Sequence, residues 1–567
     1  FLEHMLFNGT EAFPGNELDR VLQSLGLAFG ADTNAYTSHH ETVYFLRLST
    51  FDNNAIETGF DVLAEWAQNA LIEPDEVENE IGVVRDEFRQ GRETVDGIVL
   101  SQLEQYYAAG TPYEGRWPIG DPDRIESTKA PELRDFYDRW YHPENMAIIV
   151  VGDLPLDHMR REIEDRFHGF AARTTDPGIP APVEITTTAE PTTGVVVHPD
   201  QIGNSISIDW LRPPFDPSTV GGARTELLDA VIAEMLTERT NAAYLAGSLQ
   251  LDRAPVVSVF SVARELRYFG TNLRAPDLAA AYAQFLALVH GAAEYGFTDA
   301  ELEHAVTVAV SELDALEDGL GTTPDGVWAE AYTNHFTTGS GAEAPKTTIA
   351  RQRAVLESVT VHEVTARWVE VLTASGPIAV SITSDAAAVP SGDQLRVLSS
   401  AVEPIRPVDA EPDLNKLMAP PDPVEPIDNE RRDGWSGTTM TWRYSNGATV
   451  VFEPSNIAEG VVDLYAESYG GYSILPDGSA ALVGLSAVNQ SGLGDASVAQ
   501  VNRLVESTSA SLEPYIEAER EGFFGGSTPE DLEIVFQLLH LSITEARVAD
   551  TALRSALTEG TLIIDSA

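Results

Sequence analysis

Apolar and polar positions along this chain keep two different periods, and they switch between them often enough to predict an α+β protein. The segment Thr42-Val-Tyr-Phe-Leu-Arg-Leu48 alternates with period two, as a strand does, and helical periods follow over residues 52–71 and 75–106. Asn145-Met-Ala-Ile-Ile-Val-Val-Gly-Asp153 predicts a buried strand. Strands near Val195–His198 and Ser205–Trp210 then precede a helical stretch over 222–246. More strand text lies around Val256–Leu266, two long helical patterns span 276–318, and Ile378-Ala-Val-Ser-Ile-Thr383 closes this run as 145–153 closed the first. One order of elements is used twice.

A third, similar run follows an unusual connection. Residues 404–426 hold seven prolines among acidic side chains, which favours an extended, semi-rigid linker. Beyond it, Met440–Pro454 reads as a hairpin around Asn446-Gly447, and a helical pattern starts at about 478. Val483–Gly492 takes the register of the segment ending Phe1–Gly9 at an offset of 483. That overlay leads us to expect roughly forty residues of the first unit upstream of Phe1. The expected division is an α+β repeat over 1–185, a second over 186–390, a Pro-rich acidic linker over 391–435 and a third repeat over 436–567, with the first and third cut short. The predicted fold class is α+β: tandem repeats of a mixed or antiparallel sheet packed on helices.

Composition narrows the function. The 567 residues carry 35 basic and 89 acidic side chains, a formal charge of −54, which sets this chain against nucleic acid as a partner. A hydrophobic content of 43% is that of a folded protein, so the acidity does not signal disorder. Only Lys129, Lys346 and Lys416 are lysines. A surface poor in Lys and rich in carboxylates suits high salt, where self-repulsion is screened, although an Arg- and Ala-rich bias gives the same counts. Cysteine is absent, which excludes disulfides, thiolate ligands and thiol catalysis, so any metal is held by His and carboxylates. No apolar run approaches the ~20 residues needed to span a bilayer.

The chemistry concentrates in two stretches. Phe1-Leu-Glu3-His4-Met-Leu-Phe-Asn-Gly-Thr10 has the apolar filler of a buried helix with Glu3 and His4 as its strongly polar members. Burying such a pair is costly unless something compensates it, and a metal would. In Glu76–Phe88 the residues Val77, Ile81, Val84 and Phe88 form one apolar stripe, with Glu80 and Glu87 within about 20° of each other along its flank. Taken singly, the first stretch also fits a surface pair or a satisfied core histidine, and the second a solvated acidic helix.

Taken together, they resemble the pitrilysin/insulysin-like zinc peptidases, the inverzincins, whose signature is H-x-x-E-H followed some eighty residues on by a glutamate. Phe1-Leu-Glu3-His4 matches its last four positions, and Glu87 lies 83 residues beyond His4. Met5–Thr10, Asn34-Ala-Tyr-Thr37, Thr42-Val-Tyr44, Phe136–Met146 with Val150–Asp153, and Gly492-Leu-Gly494 are also similar to the family's text. The signature's first histidine would stand immediately before Phe1, and we expect it there, the helix being cut in mid-turn. The resemblance implies Zn²⁺ as cofactor, His4 and Glu87 as metal ligands, Glu3 as general base toward a water, and Glu80 as the carboxylate that accepts a ring N–H from a ligating histidine. It also implies that Asn34, Ala35, Tyr36 and Thr37 bind substrate as an added strand. His39 and His40, adjacent on a strand, point to opposite faces and are not expected as ligands.

The implied function is a zinc-dependent endopeptidase that hydrolyses peptides or unfolded polypeptides enclosed between two bowl-shaped halves of a clamshell. This chain would supply one half and the start of the second, the remainder coming in cis or from a partner subunit. No zinc set is expected in the second and third repeats; Val483, Ser486 and Ala487 stand at the signature positions of the third. A periplasmic or extracellular setting is favoured over the cytoplasm. The alternatives are a catalytically inactive scaffold or partner subunit of the same family, or a protein that sequesters metal or binds an unrelated ligand.

Overall fold

The computed structural model describes residues 1–175, 178, 183–407, 414–434, 437–457, 460–476, 478–550 and 552–557. The first elements are helices α1 (Leu2–Met5) and α2 (Glu17–Ser24), strands β1 (Thr33–Thr37) and β2 (Thr42–Leu46), and helices α3 (Asn53–Gln68), α4 (Pro74–Arg92) and α5 (Val95–Ala108). Leu2, Met5 and Leu6 are buried against Val62, Trp66, Val77 and Tyr137, so α1 is pinned between α3, α4 and a later helix, Ala130–Trp140.

Local chemistry sets the ends of these helices. The Asp52 carboxylate accepts from the amides of Asn54 and Ala55 and starts α3. Pro74 opens α4 where its missing N–H is harmless. Asp75 and Glu76 in the first turn and Arg89 and Arg92 in the last complement the dipole of α4. Thr94 then accepts from the Gly97 amide at 3.1 Å and starts α5. The helical pattern read as continuous over 75–106 is therefore two helices. Strands β1 and β2 pair antiparallel, from Thr33 opposite Leu46 to Thr37 opposite Thr42. They form a two-stranded sheet.

Residues 145–153 correct the sequence reading. They are mostly apolar and half-buried, but they form no strand and pair with none of the described strands, and a short 3₁₀ turn occupies Pro143–Asn145. An apolar run reports burial, whereas a strand also needs a neighbour to pair its backbone.

The largest sheet is built from β3 (Thr192–Val197), β4 (Ser205–Leu211), β5 (Ser258–Ala263), β6 (Leu266–Leu273) and β7 (Ile378–Thr383), in the order β3-β7-β4-β6-β5. It is mixed: β3 and β7 are parallel and the other pairs antiparallel. Every residue of β4 is buried, so both faces of the sheet are covered. Ile206, Ile208 and Trp210 pack into a core with Phe269, Phe285 and Trp368, whose indole donates to the Val289 carbonyl at 2.8 Å. On the opposite face, α5 lies against the sheet, and the Tyr107 hydroxyl donates to Asp209 Oδ2 at 3.0 Å.

Between Ser400 and Asp428 no helix or strand occurs among the described residues, in keeping with the prolines there; residues 408–413, with Pro412, and residue 435 of the predicted linker lie outside the described residues. Strands β8 (Asp428–Asp433), β9 (Thr438–Arg443) and β10 (Thr449–Phe452) follow, and β9 and β10 form the hairpin expected around Asn446-Gly447. Gly447 has φ +92°, the left-handed region such a turn favours. Strands β11 (Val462–Tyr469), β12 (Ser511–Ile516) and β13 (Arg520–Ser527) make a last sheet, with helices Ser479–Asn489, Val498–Glu506 and Leu532–Thr544 among them.

Candidate metal centre

Helix α4 turns Glu80 and Glu87 to one side because seven residues are close to two full turns. The imidazole of His4 fits between them: Nδ1 lies 2.7 Å from Glu80 Oε1, and Nε2 lies 3.1 Å from Glu87 Oε2. Glu80 is buried, whereas the Glu87 side chain is more than half exposed. Asn8, one turn past His4, donates from Nδ2 to Glu80 Oε2 at 2.5 Å. Both oxygens of Glu80 are thus engaged, which fixes its orientation. Gly9 follows at φ +132°, where a Cβ would come 2.7 Å from the Gly15 amide nitrogen, so this tight turn requires glycine.

Glu3, adjacent to His4, has a different partner. Its carboxylate accepts from the Thr37 hydroxyl at the end of β1, and that hydroxyl lies 3.2 Å from the Thr42 hydroxyl on β2. The strand expected to take substrate thereby touches the residue expected to act as base. Asn34 and Ala35 stand opposite Phe45 and Tyr44 in the ladder, and Tyr36 is exposed. Asn8 and Thr42 lie in the segments Met5–Thr10 and Thr42–Tyr44 that resemble the family's text, but the sequence alone assigns neither of them a role.

Electrostatics bind the cluster together. Hydrogen bonds to Glu80 and then Glu87 push the His4 imidazole up to about 9. Burial raises the Glu80 carboxyl, but the bonds from His4 and Asn8 outweigh it and hold the group below its ordinary value. The bond from His4 does the same for Glu87. A cation suits this arrangement. With Nδ1 committed to Glu80, Nε2 is the nitrogen left to ligate. Its 3.1 Å separation from Glu87 Oε2 is close to the ~3.3 Å that two ligands of one tetrahedral zinc ion keep. One imidazole nitrogen and one carboxylate oxygen form a donor set that zinc accepts.

The other histidines of this region stand apart from the cluster. His40 Nε2 lies 2.8 Å from the Tyr113 hydroxyl, which donates to Glu265, and the His39 ring meets Tyr113 and Trp117 edge-on. In the last segment, Val483, Ser486 and Ala487 lie on the helix Ser479–Asn489, and none of them can ligate zinc through an imidazole or carboxylate. No helix among the described residues is long and apolar enough to cross a membrane.

Comparison with known proteins identifies the family. The sequence model described as Insulinase (Peptidase family M16) matches residues 1–115, and that described as Peptidase M16 inactive domain matches residues 128–308. The probable zinc protease PqqL of Haemophilus influenzae is 24% identical over 97% of this chain and 60% of its own length. The crystal structure of the periplasmic protease PqqL from Escherichia coli superposes with a TM-score of 0.67 at 22% identity, over 97% of this chain and 61% of that one. Pitrilysin superposes with a TM-score of 0.61 at 16% identity, over 100% of this chain and 60% of that one. The chain therefore spans about 60% of the length of each of these three relatives. Its sheets on helices are those of one clamshell half with further segments beyond, and the chain belongs to peptidase family M16.

Proposed function

We propose that this chain carries the catalytic half of a zinc-dependent endopeptidase. The observation that carries the reading is the placement of His4 between Glu80 and Glu87 with Glu3 beside it. His4 Nε2 and Glu87 would hold the ion, together with the histidine that the family resemblance puts immediately before Phe1. Bound there, zinc supplies a Lewis acid toward the attacking water and the scissile carbonyl. Glu80 accepts the Nδ1 proton of His4 and keeps Nε2 turned toward Glu87. Glu3 takes a proton from the water as its oxygen attacks the carbonyl carbon. It delivers that proton to the amine nitrogen as the C–N bond breaks. The Thr37 hydroxyl holds the Glu3 carboxylate in position by donating to it.

Among the described residues β1 forms a ladder with β2 alone, its other side meeting a single bridge from Phe29 to Thr33, so along Asn34–Thr37 that side can take a peptide through main-chain hydrogen bonds that make little demand on side chains. A peptide added there runs past Thr37 and hence past Glu3. Peptides or unfolded chains would be enclosed by this half and a second one, in cis or on a partner subunit. The periplasmic setting named for the Escherichia coli relative supports a periplasmic or extracellular location here.

The test is Glu3→Gln in the complete protein, with zinc content measured beside hydrolysis of a quenched fluorescent peptide. We expect zinc to be retained and turnover to fall by about 10²–10⁴ or more, the usual contribution of a general base. Zinc-loaded, fully active Glu3→Gln protein refutes the base assignment. A complete protein that neither binds zinc nor cuts peptides returns the scaffold reading.

A further inference from the structure

Far from His4, three helices converge on a second group of ligating side chains. Glu234 lies on the helix Val220–Leu245, His304 on the helix Asp299–Asp318, and Glu506 ends the helix Val498–Glu506. One nitrogen or oxygen from each lies within 4.8 Å of the others. No motif announces the group, because each member comes from a different, distant part of the chain. The second and third repeats were expected to hold no zinc set, and this grouping lies across them.

The histidine separates this group from an ordinary acidic patch. His304 is only 5% exposed, and its Nε2 is buried with no hydrogen-bond partner. That nitrogen points at Glu506 Oε2, 3.6 Å away. The gap is too long for a hydrogen bond, and it matches the ~3.3–3.6 Å between two ligands that share one ion at the zinc–nitrogen and zinc–oxygen bond lengths. Leaving a buried imidazole nitrogen unbonded costs free energy, and a metal ion at that point removes the cost.

The charges around it act in the same direction. Burial, followed by the neighbouring Glu506, Glu238 and Glu312, pushes the Glu234 carboxyl above its ordinary value, against the pull of His304. Arg503 bonds Glu238 at 2.8 Å and Arg239 bonds Glu301 at 2.7 Å, so both of these cations are committed to other carboxylates. A further positive charge among Glu234, His304 and Glu506 relieves the repulsion.

We propose that Glu234, His304 and Glu506 form a second divalent-metal site, of the zinc or cobalt type, that clamps the segment following the proline-rich connection onto the helices of residues 220–318. One imidazole and two carboxylates suit these ions, and the exposed Glu506 leaves the remaining coordination positions to water. The role proposed for it is structural, because its three ligands come from three helices that the ion would tie together. It supplements the Arg503–Glu238 bond by tying the same two helices.

The test uses the complete protein carrying His4→Ala, which removes the ion of the proposed catalytic centre and keeps the two readings separate. After chelation it is titrated with ZnCl₂, and in parallel with CoCl₂ followed by visible absorption, in about 0.5 M KCl to screen the diffuse acidic surface. We expect one equivalent of zinc, a cobalt absorption band, and slowed amide exchange over 498–506 when zinc is present. Adding His304→Ala or Glu506→Gln removes all three. Glu506 is half exposed at a helix end, so Glu506→Gln folds even if His304→Ala does not. Absence of the equivalent in the His4→Ala protein, or its retention by Glu506→Gln, overturns the proposal.

Discussion

Replacing Asp209 with Asn tests how the sheet of β3–β7 is joined to α5. Asp209 is 2% exposed on β4, and its Oδ2 accepts from the Tyr107 hydroxyl at 3.0 Å and the Ser207 hydroxyl at 2.9 Å. Burial, partly offset by those two bonds, pushes its carboxyl from 3.8 up to about 7. The sign follows from proton binding. Between these two values the folded chain keeps a proton that the unfolded chain has lost, so stability falls as pH rises. It is greatest below pH 4, and the full loss is present above pH 7. The distance from 3.8 to about 7 is worth about 4 kcal/mol.

Asn cannot ionise and removes this slope. It also sets an amide nitrogen at the Oδ1 position, close above Gly270, which can add a constant penalty of about 1–3 kcal/mol for an unbonded donor. A constant offset does not alter the pH dependence. The assay is the difference between variant and parent in the free energy of opening β4, from amide exchange of residues 205–211 at pH 4.5 to 8.5. We expect the difference to move toward the variant by about 3 kcal/mol across that range, the first part of the loss lying below pH 4.5. A flat difference, or one that moves toward the parent, refutes the claim that Asp209 is buried with a raised carboxyl.

Three further outcomes follow from the geometry. Asn8→Ala frees Glu80 Oε2 and is expected to weaken zinc binding by the complete protein about 10-fold, the low end for a group behind a ligand because Asn8 acts through Glu80 on His4, read by competition with a chromophoric chelator. Gly9→Ala meets both the positive φ and the Gly15 backbone, and is expected to lower stability by about 1–3 kcal/mol in thermal unfolding. Asp229, fully buried between Arg212 and Arg367 with 2.8 Å bonds to each, is expected to cost about 3–5 kcal/mol as Asp229→Ala in urea unfolding, since two cations would lose their shared partner.

What the sequence disclosed, and what it concealed, divides by how far each contact reaches. Glu80 and Glu87 are set on one side by the helical repeat alone, so their convergence was legible before any fold was known, and the family's wording linked them to His4. The break at Thr94 was legible too, since a threonine three residues before Gly97 is a capping signal that the longer apolar period masked. Asn8 was harder: an amide in a turn carries no periodic signal, and its value comes only from meeting Glu80 across α4. The run 145–153 shows the converse failure. Apolar side chains there report burial correctly, but pairing is a property of two segments. Asp209 inside an apolar strand, and His304 inside an amphipathic helix, lie at the far end of this scale. Each reads as an isolated polar residue in a core element until the partners Tyr107, or Glu234 and Glu506, arrive from elsewhere in the chain. Polar groups placed where the local pattern calls for apolar ones are therefore where function or inter-segment ties should be sought, because a buried polar atom persists only when some distant group, or an ion, satisfies it.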